Sequence, residues 1–167
     1  MGAGQPCRDM AASLLMPSHA DHAKLHRRLT DSLYLEAMLL ADEARAYFDE
    51  VGRSERDLLE PIARVGFSCE SLKVTTRLMH VIAWLLTRRA LVSGELAESE
   101  ALHSSRRLGD APATDLDLLQ SLPPRAQSLI ASSEDLHRRA ARLDGAQGIV
   151  AVASPARSML ERLEHSF

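Results

Sequence analysis

The sequence predicts an all-α protein, namely an antiparallel three-helix bundle with short accessory helices and flexible termini. Its 167 residues include 27 Leu and 24 Ala, whereas Val and Ile together supply only 11. Leu and Ala are strong helix formers, and strands are enriched in β-branched residues. Three long segments also repeat apolar residues every three or four positions, which is the spacing of one helix face. A chain of this length suits a single domain.

The first long helix is predicted to begin near Ser18 and to end at Val51, before Gly52. Ser18 and Asp21 have the spacing of a helix-capping pair, and glycine is favoured just past a helix end. The preceding residues, 1–17, have little periodicity and are expected to form a disordered leader. The apolar face of the helix comprises Leu25, Leu29, Leu33, Ala37, Leu40, Ala44, Tyr47 and Val51.

The second long helix is predicted from Pro61 to Val92, because proline fits the first helical turn and Gly94 follows closely. It carries two apolar stripes. The first is an unbroken heptad seam that consists of Ile62, Val65, Cys69, Leu72, Thr76, Met79, Ala83, Leu86 and Ala90. The second stripe consists of Val74, Leu78, Val81 and Leu85, with Trp84 nearby. Either the second stripe packs against the third helix, or these five residues form a dimer or partner surface.

Three polar residues occur within this strongly apolar second helix, namely Glu70, Arg77 and His80. Two interpretations stay open for them. They either face solvent, or they are buried and therefore need hydrogen-bond partners. In the second case Asp42 or Glu43 of the first helix is a candidate ion-pair partner for Arg77.

The third long helix is predicted from Pro123–Pro124 to near Asp144. Its apolar residues again recur at alternating steps of four and three, so three heptad-like helices indicate a bundle. Short accessory helices are expected over 95–103 and 115–121. Thr114 is predicted to cap the second of these helices, because it has capping spacing to Asp117.

Residues 18–145 are thus predicted to form the bundle, and residues 146–167 a flexible C-terminal tail. The tail is too short to be a stable isolated helix. Three alternatives stay open, because it could dock on its own bundle, remain disordered or bind a partner. Its apolar residues, which are candidate partner contacts, are Met159, Leu160, Leu163 and Phe167.

Composition and charge exclude several classes of function. The formal net charge of −3 provides no basic field for a nucleic acid. The longest apolar run, Val81 to Leu86, is six residues, whereas a membrane-spanning helix needs about 20. The two cysteines, Cys7 and Cys69, cannot make a disulfide framework, and Cys69 is expected to be a buried seam residue. We therefore expect a cytoplasmic protein without a catalytic motif, a cofactor or membrane insertion.

Metal binding is the alternative function. The pattern E-x-x-H occurs twice, at Glu100/His103 and at Glu134/His137, and paired E-x-x-H motifs hold di-iron centres in helical bundles. Such a centre would take its remaining carboxylates from Glu36, Glu43 and Glu70. A second set, His19, His22 and His26, has a spacing that suits zinc on one helix face. Solvated helix faces are the favoured explanation of both patterns, so no metal ligand is assigned.

Two longer stretches resemble a known family as whole segments. They are Ser32–Asp49, SLYLEAMLLADEARAYFD, and Phe67–Leu86, FSCESLKVTTRLMHVIAWLL. Both are similar to the RcdA-like family of alphaproteobacteria, which is also classed as a domain of unknown function. The resemblance covers about residues 30–145 and is thin over 95–120.

This resemblance implies a homodimeric three-helix bundle that is not an enzyme. It implies an adaptor for regulated proteolysis, which helps to deliver cell-cycle regulators such as CtrA to the ClpXP protease together with fellow adaptors. It also implies that the protein gathers at a cell pole and that the tail takes part in function. No catalytic motif of the family exists to carry over.

Overall fold

The structure, a computed structural model, describes residues 19–101 and 103–152. It is all-α in these residues, as predicted. The predicted leader and the four apolar tail residues lie outside them. The helices are α1 (His19–Ala46), α2 (Gly52–Asp57), α3 (Pro61–Ser93), α4 (Glu98–Ala101), α5 (Leu116–Leu119) and α6 (Pro124–Val152), with a π-helical turn at Tyr47–Val51 and a 3₁₀ turn at Ser104–Arg106.

The helix α1 runs antiparallel to both other long helices, as its ion pairs show. These pairs join Asp31 to Arg89 of α3, and Glu36 to Arg139 and Glu43 to Arg125 of α6. Residue numbers rise along α1 where they fall along α6, so these two helices have opposite directions. The aromatic contact of Tyr47 with Phe67, at 6.3 Å between ring centroids, gives the same result for α1 and α3.

The helices α3 and α6 run in the same direction. Arg77 contacts Ser133 at 3.3 Å, and Trp84 donates to the carboxylate of Asp144 at 2.9 Å. The chain must therefore return along the whole bundle between them. It does so in a crossing segment, Arg107–Leu118, whose contacts pass from Trp84 and Asp144 back towards the start of α3.

The core of the bundle contains the second stripe. Val74, Leu78, Val81 and Leu85 are 0 to 3% exposed, and Trp84 is 2% exposed. They form one cluster with apolar residues of the other long helices, which are Leu33, Ala37, Ala44, Leu129, Ile130, Leu136 and Ala140. These five residues therefore pack within a single chain. Their contact with a partner stays a prediction, and it would require the bundle to open.

Several helix ends lie where turn chemistry predicted them. Pro61 occupies the first turn of α3, and Gly94 ends that helix in the left-handed conformation, with φ of 79°.

Two other helix ends differ from the prediction. α5 is capped by Asp115, whose side chain accepts from two backbone N–H groups, and not by Thr114. The helix α6 continues past Asp144 to Val152, because Gly145 stays in the helical conformation.

The predicted end of the first helix at Val51 is wrong, because the chain stays helical through the π-helical turn and into α2. A π-helical turn inserts one residue and rotates everything after it. Val51, predicted on the apolar face, is consequently 57% exposed, while Gly52 is buried. A Cβ at Gly52 would lie 2.8 Å from the carbonyl oxygen of Tyr47 and 3.0 Å from the ring of Phe67.

We predict that Gly52→Ala lowers the free energy of unfolding by about 1–3 kcal/mol, because the added methyl group overpacks against a backbone oxygen. Gly145→Ala is the matched control, since nothing beyond the neighbouring backbone of its own helix lies within 4 Å of its Cβ position. The control should raise stability by up to about 1 kcal/mol, as alanine normally does in a helix. Urea unfolding followed by circular dichroism measures both, and equal stabilisation by the two substitutions would contradict this account.

Candidate partner-binding surface

The heptad seam of α3 faces solvent. Its large members are 47 to 80% exposed: Ile62, Val65, Leu72, Met79 and Leu86. The buried face of α3 lies on the opposite side of the helix and carries the second stripe and Trp84. Cys69, expected to be buried in the seam, is exposed with it.

This outer face of α3 carries no charge over six helical turns. All residues that are exposed between positions 65 and 86 are uncharged, namely Val65, Cys69, Leu72, Thr75, Met79, Ala83 and Leu86. The threonine hydroxyls of this face donate back into the helix, from Thr75 to Ser71 at 3.0 Å and from Thr76 to Leu72 at 2.9 Å. These hydrogen bonds lie within α3, so they remain when a partner covers this face. Binding of a partner therefore removes few unpaired polar groups from water.

The face that α6 presents to solvent differs, because it carries charged residues, of which Arg125, Asp135, Arg138 and Arg139 form ion pairs. Hydrogen bonding from Arg138 holds the pKa of Asp135 below its ordinary value. Hydrogen bonding to Glu36 raises the pKa of Arg139. A face of paired charges is typical of solvated helix surfaces, whereas charge depletion is typical of the centres of protein interfaces.

An open groove of about 620 Å³ lies between α1 and α3, along the edge of the heptad seam. We call it the α1–α3 groove. Its apolar lining comprises Ala41, Ala44, Phe48, Leu72, Leu78, Met79 and Ile82. Its charged lining comprises Arg45, Asp49, Arg53 and Arg56. Two seam residues, Leu72 and Met79, therefore belong to the groove as well.

The π-helical turn shapes one end of this groove. Tyr47 of this turn is not a lining residue of the groove, and its hydroxyl donates to Glu55 at 2.5 Å. Burial, and next the hydrogen bond to Glu55 and its charge, raise the pKa of Tyr47 above its ordinary value. Tyr47, Phe48 and Phe67 form an aromatic cluster, with Phe48 and Phe67 centroids 5.4 Å apart. This cluster packs the turn against α3.

A buried polar network holds the crossing segment on the far side of α3. Arg77 is fully buried and donates to the carbonyl of Pro112 at 2.6 Å and to the hydroxyl of Thr114 at 2.8 Å. Its guanidinium also lies 3.3 Å from the hydroxyl of Ser133 and 3.4 Å from the carboxylate of Glu134. The partners of Arg77 are thus in the crossing segment and α6, and not at Asp42 or Glu43 of α1.

Two further α3 side chains and one of α6 bind the same segment. Glu70, 1% exposed, accepts from Lys73 at 2.7 Å and from the backbone N–H of Asp115 at 3.2 Å. The ring nitrogen of His80 lies 3.0 Å from the carbonyl oxygen of Asp110. That of His137 lies 2.8 Å from the carbonyl oxygen of Gly109. Polar side chains of the long helices therefore satisfy the backbone of an irregular segment.

Each residue of the two E-x-x-H patterns, which the di-iron hypothesis proposed as ligands, contacts a different partner. Glu134 accepts from Thr114 and His137 contacts Gly109, while Glu100 accepts from Ala97 and His103 contacts Ser105. In the described part of the chain, no three His, Cys, Asp or Glu side chains are grouped as a metal site would require. The side chains of His19 and His22 lie outside the described residues, so the hypothesis of a zinc site at His19, His22 and His26 stays a prediction.

None of the described helices has the length and hydropathy needed to cross a bilayer.

Comparisons with known proteins give two findings. A family model described as a protein of unknown function, DUF1465, matches residues 21–167. The crystal structure of RcdA from Caulobacter crescentus CB15 is similar, with 34% sequence identity and a TM-score of 0.58. That match covers 70% of this chain and 88% of the RcdA chain. A search of curated proteins gives no match.

We predict that Arg77→Met lowers the free energy of unfolding by about 3–5 kcal/mol, because it leaves the buried partners of the guanidinium without a donor. Hydrogen exchange at the backbone N–H groups of residues 110, 111 and 113–115 should accelerate together with this loss. Arg125→Met is the matched control, since it removes an exposed ion pair with Glu43 at 3.0 Å. The control should cost at most about 1 kcal/mol. Equal losses in the two variants would show that the network does not hold the segment.

Proposed function

The chain belongs to the RcdA-like DUF1465 family, and from this membership we propose that it is a non-enzymatic adaptor for regulated proteolysis. In this role it helps to deliver a cell-cycle regulator such as CtrA to the ClpXP protease, together with fellow adaptors. The observation that carries the proposal is the 34% identity to RcdA over 70% of the chain. The role places the protein in the cytoplasm, concentrated at a cell pole.

The charge-free outer face of α3 supports an adaptor role on physical grounds. An adaptor holds partners through surfaces and has no need of a cleft for chemistry. A contiguous exposed apolar face marks a site of protein interaction, since monomeric proteins rarely expose large apolar patches. The heptad seam is such a face, because it extends from Ile62 to Ala90 along one side of the helix.

The heptad seam also supports a homodimer. A twofold interface is self-complementary, so an apolar seam on one copy fits the same seam on a second copy. The seam has the heptad spacing with which two helices pack side by side. A dimer would also present two cargo-binding surfaces at once, which increases the effective affinity of an adaptor for its partners.

We predict that the protein sediments at twice the chain mass of 18.4 kDa and that Met79→Glu converts it to the monomer. Burying a carboxylate in an apolar interface is costly, whereas the same side chain on a monomer stays in water. Leu39→Glu on α1 is the matched control, since Leu39 is 62% exposed outside the seam. It should leave the dimer intact. A wild-type monomer at every concentration, or a dimer unaffected by Met79→Glu, would remove the seam as the dimer contact.

We predict that the chain accelerates the loss of CtrA in a reconstituted reaction with ClpXP and fellow adaptors. Omission of the chain is the first control, and no acceleration at any ratio of chain to protease would overturn the adaptor role.

The tail is tested in the same reaction. Leu160→Asp with Leu163→Asp should weaken delivery, because these side chains are the proposed tail contacts with a partner. Ser158→Asp with Ser166→Asp adds the same charge without removing an apolar side chain, so it should deliver normally. Equal delivery by the two double variants would exclude the apolar tail residues as contacts.

A further inference from the structure

We propose that the α1–α3 groove binds a short acidic, amphipathic helix of a protein partner. Large apolar side chains of this helix would enter the groove, and its carboxylates would face the arginines on the rim. The inference rests on the proposed adaptor function and deepens it, because it assigns a surface and a ligand chemistry to one of the partner contacts. Leu72 and Met79 line the groove and also belong to the heptad seam, so a bound helix and a second copy of the chain would compete for this edge of α3.

The lining of the groove offers apolar side chains to a ligand. Phe48 from the π-helical turn and Leu78 and Ile82 from α3 line it, beside the small Ala41 and Ala44 of α1. Small residues on one wall opposite large ones on the other leave a channel into which apolar side chains of a ligand fit. Its volume of about 620 Å³ lies within the range of about 300–1,000 Å³ that ligand-binding clefts occupy.

The rim of the groove carries positive charge. Arg45 and Arg53 are exposed on the groove, and in the described residues neither guanidinium is paired with a carboxylate. Arg56 binds Asp57 at 2.8 Å, so its charge is already compensated. Asp49 is the single acid among the described lining residues. Two free positive charges beside an apolar channel complement a ligand that is apolar on one face and acidic at its edges.

The occupant is a helix because of the shape and chemistry of the site. The groove lies between two antiparallel helices, and no sheet edge exists in the described residues to which an extended peptide could add. An amphipathic helix that enters such a groove places anchors at positions i, i+3 or i+4, and i+7. The π-helical turn at Tyr47–Val51 sets the spacing of the rim arginines, since it lies between Arg45 and Arg53.

The test uses the full-length chain, immobilised, and a phage-displayed library of random 14-residue peptides as the probe. Selected peptides should carry Leu, Ile, Met or Phe at helical spacing and Asp or Glu between them. Arg45→Glu with Arg53→Glu should weaken their binding by about tenfold, because two attractive ion pairs become repulsive. Arg142→Glu is the matched control on α6, where it is exposed and away from the groove, and binding there should stay within about twofold.

A charge-swapped peptide, in which each acid is replaced by Arg or Lys, should bind the double variant better than the wild-type chain. Far-ultraviolet circular dichroism confirms that every variant is folded. The proposal is overturned if no peptide is enriched, if enriched peptides lack acids, or if the double variant binds them as well as the wild type. The assay contains no protease, so such a failure leaves the adaptor role to the degradation assay.

Discussion

The buried guanidinium of Arg77 is the constraint on which the rest of the architecture depends. A charge that is 0% exposed requires hydrogen-bond partners, and no helix of a simple bundle offers them in sufficient number. The crossing segment provides them through Pro112 and Thr114. The segment can reach Arg77 only because it returns along the groove between α3 and α6, and this return makes those two helices parallel.

The same network determines which side of α3 faces outwards. Glu70 and Arg77 lie on the inner side with the second stripe, so this side must face α6 and the crossing segment. The heptad seam lies opposite and faces solvent as a consequence. An apolar, charge-free outer face and a partly polar inner face reverse the usual distribution of polar and apolar residues. The reversal is consistent with a helix that is central to a larger assembly.

The sequence predicted the helices better than it predicted their orientation. Pro61 and Gly94 define α3 through local backbone chemistry, which depends on neighbouring residues alone. Heptad spacing identified an apolar stripe on that helix, yet periodicity does not distinguish a buried stripe from an exposed one. The partner of Arg77 was missed because a backbone carbonyl has no signature in the sequence. Val51 was placed on the wrong face for a related reason. The π-helical turn inserts one residue, so the residues that follow point to a different side of the helix from the one that regular α-helical spacing predicts.

The parallel arrangement of α3 and α6 has a consequence for the order in which the molecule folds. α1 and α3 are joined by a short connection, so their contacts form locally and close a small loop. The contacts of α6 with α3 span about 60 residues, from Trp84 to Asp144, and long loops close more slowly. The hairpin of α1 and α3 is therefore expected to be the nucleus. Docking of α6 and ordering of the crossing segment are then expected to follow.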